Sequence, residues 1–151
     1  PVRATSAGGA VPAFDLEARG VPRLDGTIAM CRPPIGHMPG VVCLQDGRDL
    51  AVAWRPSGDN PPGGRVFLRF SSGWHGSPGL TMVWCDSLDD GEITVPASLL
   101  DRYPAVSGGI NESSAIGRMS AATLDLPTGP IALQVVSQQQ FLVTRDHPPS
   151  L

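Results

Sequence analysis

The chain contains no lysine; all eleven of its basic side chains are arginine, set against fourteen acidic ones for a net charge of −3. Lysine absence beside abundant Ala, Arg, Gly and Pro reads as a GC-rich coding bias. A slightly acidic balance offers no cationic stripe for nucleic acid or for anionic lipid. No apolar run approaches the roughly 20 residues that a membrane-spanning helix needs. Also missing are a phosphate-cradling glycine loop ahead of a helix, a paired-histidine zinc motif, a dinucleotide fingerprint and a Gly-x-Ser-x-Gly elbow. These absences leave no catalytic residue, metal or cofactor to name, and no nucleic-acid partner.

Glycine and proline are plentiful, at 18 and 16 of 151 residues, roughly double their usual combined share. Each would cost a helix interior about 1 to 3 kcal/mol, which excludes a helical bundle. An apolar fraction of 41% is too high for a disordered coil. A turn-rich, all-β domain satisfies both facts. Apolar residues alternate with period two: Phe14, Leu16 and Ala18; Leu50, Val52 and Trp54; Val66, Leu68 and Phe70; Leu80, Met82 and Trp84. Glu92 to Val95, Ala121 to Leu126, Ile131 to Val136 and Gln140 to Arg145 continue the pattern. Such alternation marks strands with one buried face. Turn chemistry at Ser57 to Gly64 and at Thr128-Gly129-Pro130 separates them. Pro96 to Tyr103 is the one helical stretch, opened by a proline and stopped by Pro104. Eight to ten short strands with regular turn signals mean a two-sheet sandwich or a barrel; uneven strand lengths and prolines suited to edges favour the sandwich, with one short helix. Residues 1–12 read as a flexible arm, 13–145 as a single domain and 146–151 as a tail. Pro1 follows either a removed leader or an upstream segment.

Three cysteines cannot all pair within one chain. Cys31 and Cys43 flank a segment dense in turn formers, Arg32 to Gly40, that can bring its ends together. A disulfide between them is carried forward, with two packed thiols as the alternative; Cys85 is then an unpaired, packed thiol. A disulfide places the domain outside the cytosol.

Asp49 to Trp54 resembles the strand that bears a core tryptophan in immunoglobulin-like and fibronectin-like sandwiches. Cys85 to Leu100 resembles a segment of bacterial envelope and lipoprotein-like sandwich domains, in which an acidic glycine turn is followed by a strand running into a proline-led helix. The resemblance covers Asp49 to Tyr103. It implies an immunoglobulin-like β-sandwich in the cell envelope; the inter-sheet cysteine pair of antibody domains is not evident.

Each cluster with chemical potential has a plainer reading beside it. Met30, Cys31, His37, Met38 and Cys43 could ligate a soft metal, but a closed or packed loop fits the same residues. Asp86, Asp89, Asp90 and Glu92 surround Gly91 without the spacing of a calcium loop, and an ordinary solvated turn accounts for them. Ser71 to Ser77 sets hydroxyls near His75 without an elbow. Asn111-Glu112-Ser113 matches a glycosylation acceptor. Trp54 and Trp84 are expected in the core. Trp74, beside His75 in a Gly/Ser loop, is the candidate ligand-binding aromatic, able to stack on a sugar ring. The expected function is a non-catalytic, extracytoplasmic structural, adhesive or assembly module with a protein partner or self-association through edge strands. A carbohydrate-binding module with a glycan partner is the alternative, and a hydrolase using His75 as base is the second.

Overall fold

The computed structural model describes residues 1–36, 39–61, 63–72, 81–103 and 114–146. Eleven strands and one helix occur among them: β1 (Val2–Ser6), β2 (Phe14–Ala18), β3 (Gly26–Ile28), β4 (Val41–Gln45), β5 (Leu50–Trp54), β6 (Arg65–Ser72), β7 (Thr81–Leu88), β8 (Glu92–Val95), α1 (Ala97–Leu100), β9 (Ala115–Leu126), β10 (Gly129–Gln140) and β11 (Leu142–Asp146). The all-β expectation holds. The strands form a four-stranded sheet in the order β10-β9-β6-β7, a three-stranded sheet β3-β5-β8, and the pairs β1-β2 and β11-β4. The β11-β4 pair is parallel; the other pairs are antiparallel.

One face of the four-stranded sheet and the strands of the three-stranded sheet and the parallel pair share a single core. Val66, Leu68 and Phe70 of β6 meet Val52 and Trp54 of β5, Val42 and Leu44 of β4, and Phe141 and Val143, all buried. Fully burying one such side chain contributes about 1.5 to 3 kcal/mol, so the core is the main reason these short strands hold together. Phe70 anchors it with edge-on contacts to Tyr103 and Phe141, at centroid distances of 6.1 and 5.8 Å.

Helix α1 is short, and its capping group comes from elsewhere. Pro96 occupies the N-cap position without a side-chain bond, and the Asp49 carboxylate accepts the Ala97 N–H at 2.7 Å. At the other end Arg145 of β11 donates to the Leu100 and Tyr103 carbonyls at 2.5 and 3.0 Å. A cation at the C-terminal carbonyls answers groups the helix leaves unpaired. The Cys31–Cys43 disulfide is present, with Cα atoms 5.7 Å apart.

Two expectations differ from the structure. The stretch read as a flexible arm contains β1, which runs antiparallel to β2 with Val2 opposite Ala18 and Ser6 opposite Phe14. Its residues are too small and polar to announce a strand; the apolar face belongs to β2, where Leu16 and Ala18 are buried. Trp84 and Met82, expected in the core, lie on the opposite face at 42% and 62% exposure. The reason is register. Phe70 pairs with Val83 and Leu68 with Cys85, and directly opposed residues share a face. The core-facing set of β6 therefore draws in Val83 and Cys85 and turns the larger Met82 and Trp84 outward.

Candidate functional site

The most concentrated polar chemistry is buried and fully committed. Arg118 on β9 is 1% exposed. Its Nε donates to Asp89 Oδ2 at 3.0 Å, Nη1 to the Arg23 carbonyl at 2.6 Å, and Nη2 to the Arg55 carbonyl at 2.6 Å. Asp89 also accepts the Trp54 Nε1–H at 2.7 Å and the Ser57 N–H at 3.2 Å. Burial pushes the Asp89 carboxyl up, but the bonds from Arg118, Ser57 and Trp54 outweigh it and hold the group below its ordinary value. A buried guanidinium with carboxylate and carbonyl partners is a structural tie. It joins β9, the loop ahead of β3, the end of β5 and the turn after β7. The acidic residues around Gly91 thus include one that the fold consumes, and Asp86 is paired with Arg65.

The remaining sequence candidates sort as follows. Trp74 and His75, the proposed ligand-binding pair, lie outside the described residues, as do His37, Met38 and Asn111. Among the described residues no group of three His, Cys, Asp or Glu side chains could hold a metal ion. Cys85 is a free, partly buried thiol; burial, with Asp86 beside it, pushes its pKa up, and a thiol so shifted is a poor nucleophile at neutral pH. A pocket of about 250 Å³ opens between β4, β5 and α1, lined by residues including Arg48, Asp49 and Leu100. The Asp49 carboxylate there is already engaged in capping α1.

Among the described residues, most of the exposed large apolar side chains gather on the outer face of the four-stranded sheet. Its side chains follow from register in three rows: Leu88, Arg65, Met119 and Val136; Asp86, Phe67, Gly117 and Gln138; Trp84, Arg69, Ala115 and Gln140. Phe67 is 2% exposed although it is not part of the shared core. It is covered by Trp84, whose indole stacks on it with centroids 5.0 Å apart and planes 2° from parallel. Gly117 lies opposite Phe67 and adds no side chain to that face. A Cβ there would come within 2.3 Å of the Ser137 carbonyl oxygen, so glycine is what lets β10 approach. On the same face Met82 and Leu88 of β7 and Val136 of β10 are exposed, and Arg65 with Asp86 forms a partly exposed ion pair. Parallel stacking fixes the indole plane, so one broad aromatic surface is presented at little entropic cost.

Sequence reasoning missed this face because it assigned Trp84 to the core. The available signal was Phe67: β6 carries an aromatic on each face, and a strand with both faces apolar needs cover on both sides. No helix of the described residues is long and apolar enough to cross a membrane. Comparison of the chain with protein-family models, with curated proteins and with solved structures finds no match.

Proposed function

We propose that this chain is a non-catalytic, extracytoplasmic module of immunoglobulin-like sandwich build that serves structure, adhesion or assembly, and that its working surface is the outer face around Trp84. The observation that carries this reading is the exposed apolar group formed by Trp84, Met82, Leu88 and Val136 beside a completed core. These side chains share the face with the Arg65–Asp86 pair; apolar side chains gathered on one open face and set among polar ones suit an interaction site, where aromatic and methionine side chains are enriched. The disulfide supports a compartment outside the cytosol.

A carbohydrate-binding reading stands second and passes from Trp74 to Trp84. It is favoured by the flat, pinned indole, with Gln138 and Gln140 on the same face three strands across, on β10. Sedimentation velocity over a range of concentrations, on the native chain and on Trp84→Ser combined with Leu88→Ser, tests the first reading. Association should weaken in the double variant while circular dichroism stays unchanged. Titration with a panel of oligosaccharides, read by indole fluorescence, tests the second. A saturable response that Trp84→Ser removes, in a chain that shows no protein association, would replace the first reading by the second.

A further inference from the structure

Strand β10 lies at the edge of its sheet, and among the described residues no strand pairs with its outer side. Its sequence, Gly129 to Gln140, contains no Asp, Glu, Lys or Arg over 12 residues. Natural edge strands are ordinarily blunted by charge, by proline, by brevity or by a bulge; the one proline of β10, Pro130, lies at its start and leaves Ile131 to Gln140 without one. Other edges in this molecule are blunted: β1 carries Arg3, β7 carries Asp86, β8 carries Glu92, and β3 is three residues long. Uncharged β4 is only five residues long and has Arg32 bridged to Val41. β10 keeps unbroken register with β9 from Gly129 to Gln140, so no bulge interrupts its free side.

Proline identifies which backbone groups point outward. Pro130 has no N–H and cannot donate into the β9 ladder, so it occupies a position whose amide faces away from β9. Outward and inward positions alternate in an antiparallel pair. Ala132, Gln134, Val136, Gln138 and Gln140 therefore present their N–H and C=O groups to the free edge, and their side chains are the exposed set of the strand.

We propose that β10 is a strand-addition site whose occupant is the β10 of a second copy of this chain, paired antiparallel about a two-fold axis at Val136. This inference rests on the assembly reading and names its partner. The choice of a second copy follows from charge. In an isologous pair each residue meets a residue of the same strand, so any ionised side chain on β10 would meet its own kind or a near neighbour of it. β10 has none. Centring on Val136 sets Val136 against Val136, Gln134 against Gln138 and Ala132 against Gln140, each an outward-facing residue opposite another. The valine pair buries side chains now 43% exposed. The amides of Gln134 and Gln138 can bond to each other across the seam. On the other face Ile131, Leu133 and Val135, all half-buried, gain cover from the same contact. The resulting sheet runs continuously from the β7 of one copy to the β7 of the other, with both Trp84 faces on one side.

Amide hydrogen exchange at low and high protein concentration, together with sedimentation, tests this on the full chain. Gln134, Val136 and Gln138 should become protected as concentration rises. Val136→Lys should weaken the dimer about tenfold or more, because like charges then meet at the axis of a bared edge; Val136→Thr, which keeps the strand preference and adds no charge, should keep it. A dimer that survives Val136→Lys but dissociates in Trp84→Ser would overturn the β10 assignment and leave the assembly reading standing. A chain that stays monomeric at every concentration would overturn the pairing outright. Dimerisation that protects amides of another edge instead would do the same.

Discussion

At the start of β9, Ala115, Ile116, Gly117 and Arg118 are buried one after another, whereas from Ala121 to Leu126 the strand alternates between exposed and half-buried residues. The difference lies in the neighbours. β6 pairs with β9 only over Ala115 to Met119, and that end sits on the shared core with Arg118 tied into three other segments. Beyond Met119 the β9-β10 hairpin extends past β6, and β2 packs against it. Leu16 and Ala18 are buried there, outside the main core cluster. Ser120 donates to the Arg19 carbonyl at 2.6 Å and ties the two hairpins together. One strand thus crosses from a body stabilised by area and buried charge to a satellite stabilised by a thin apolar layer. Coverage, rather than the strand's own composition, sets the stability of each half.

The sharpest test of that contrast is Arg118→Ala. Removing one partner of a buried pair leaves an uncompensated charge and costs about 3 to 5 kcal/mol. The loss should appear as a lower denaturant midpoint at an unchanged slope. Combining it with Asp89→Asn should recover part of the loss, because the stranded carboxylate is then gone. Additive losses in the double variant would show that the two side chains are not coupled.

Trp54→Ala is next. Trp54 is buried in the core and bonded to Asp89, so truncation should cost about 3 kcal/mol or more. Trp84→Ala should cost about 1 to 2 kcal/mol, mainly through uncovering Phe67. In the satellite, Leu133→Ala should lie near the lower figure, since Leu133 is only half-buried. Equal losses at Trp54 and Trp84 would mean that the outer face is as much a core as the inner one.

How far these differences were legible in the sequence depends on the residue. Leu50, Val52 and Trp54 alternate cleanly, and β5 turns Val52 and Trp54 inward as read. The cysteine pair followed from a turn-dense spacer, and Cys31 and Cys43 are joined. β7 was misread because Met82-Val83-Trp84-Cys85 has apolar residues on both faces, and only its register with β6 decides between them. Arg118 carried no sequence signal at all. It is a lone arginine between glycine and methionine, and its partners lie 29 to 95 positions away in the chain. The open edge of β10 was written in its lack of charge, but that lack acquires meaning only once β10 is known to be last in its sheet.

Acid separates body from satellite more gently. The native Asp89 carboxyl sits below its ordinary value of 3.8, so the contribution of its bonds to stability is complete above that value. The contribution is then lost as pH falls through the native pKa. Asp89→Asn should flatten the acid limb of the stability profile below about pH 4. An unchanged acid limb would mean that another carboxylate governs acid unfolding.

The smallest effect is expected at the satellite's own ion pair. Arg3 and Asp15 join β1 to β2, and their side chains are 62% and 52% exposed. The hydrogen bond from Arg3 lowers the Asp15 pKa, as the carboxylate of Asp89 is lowered within the body, but here water and salt reach both groups. Exposed pairs are screened and contribute little. Asp15→Asn should therefore leave the denaturant midpoint unchanged within error. Raising the salt concentration should move the Asp15 pKa, followed by NMR, back toward its ordinary value while that of Asp89 stays put. If Asp15→Asn instead releases amide protection across both β1-β2 and the far end of β9-β10, the satellite is held by its charge pair, and the thin apolar layer of Leu16 and Ala18 is not what stabilises it.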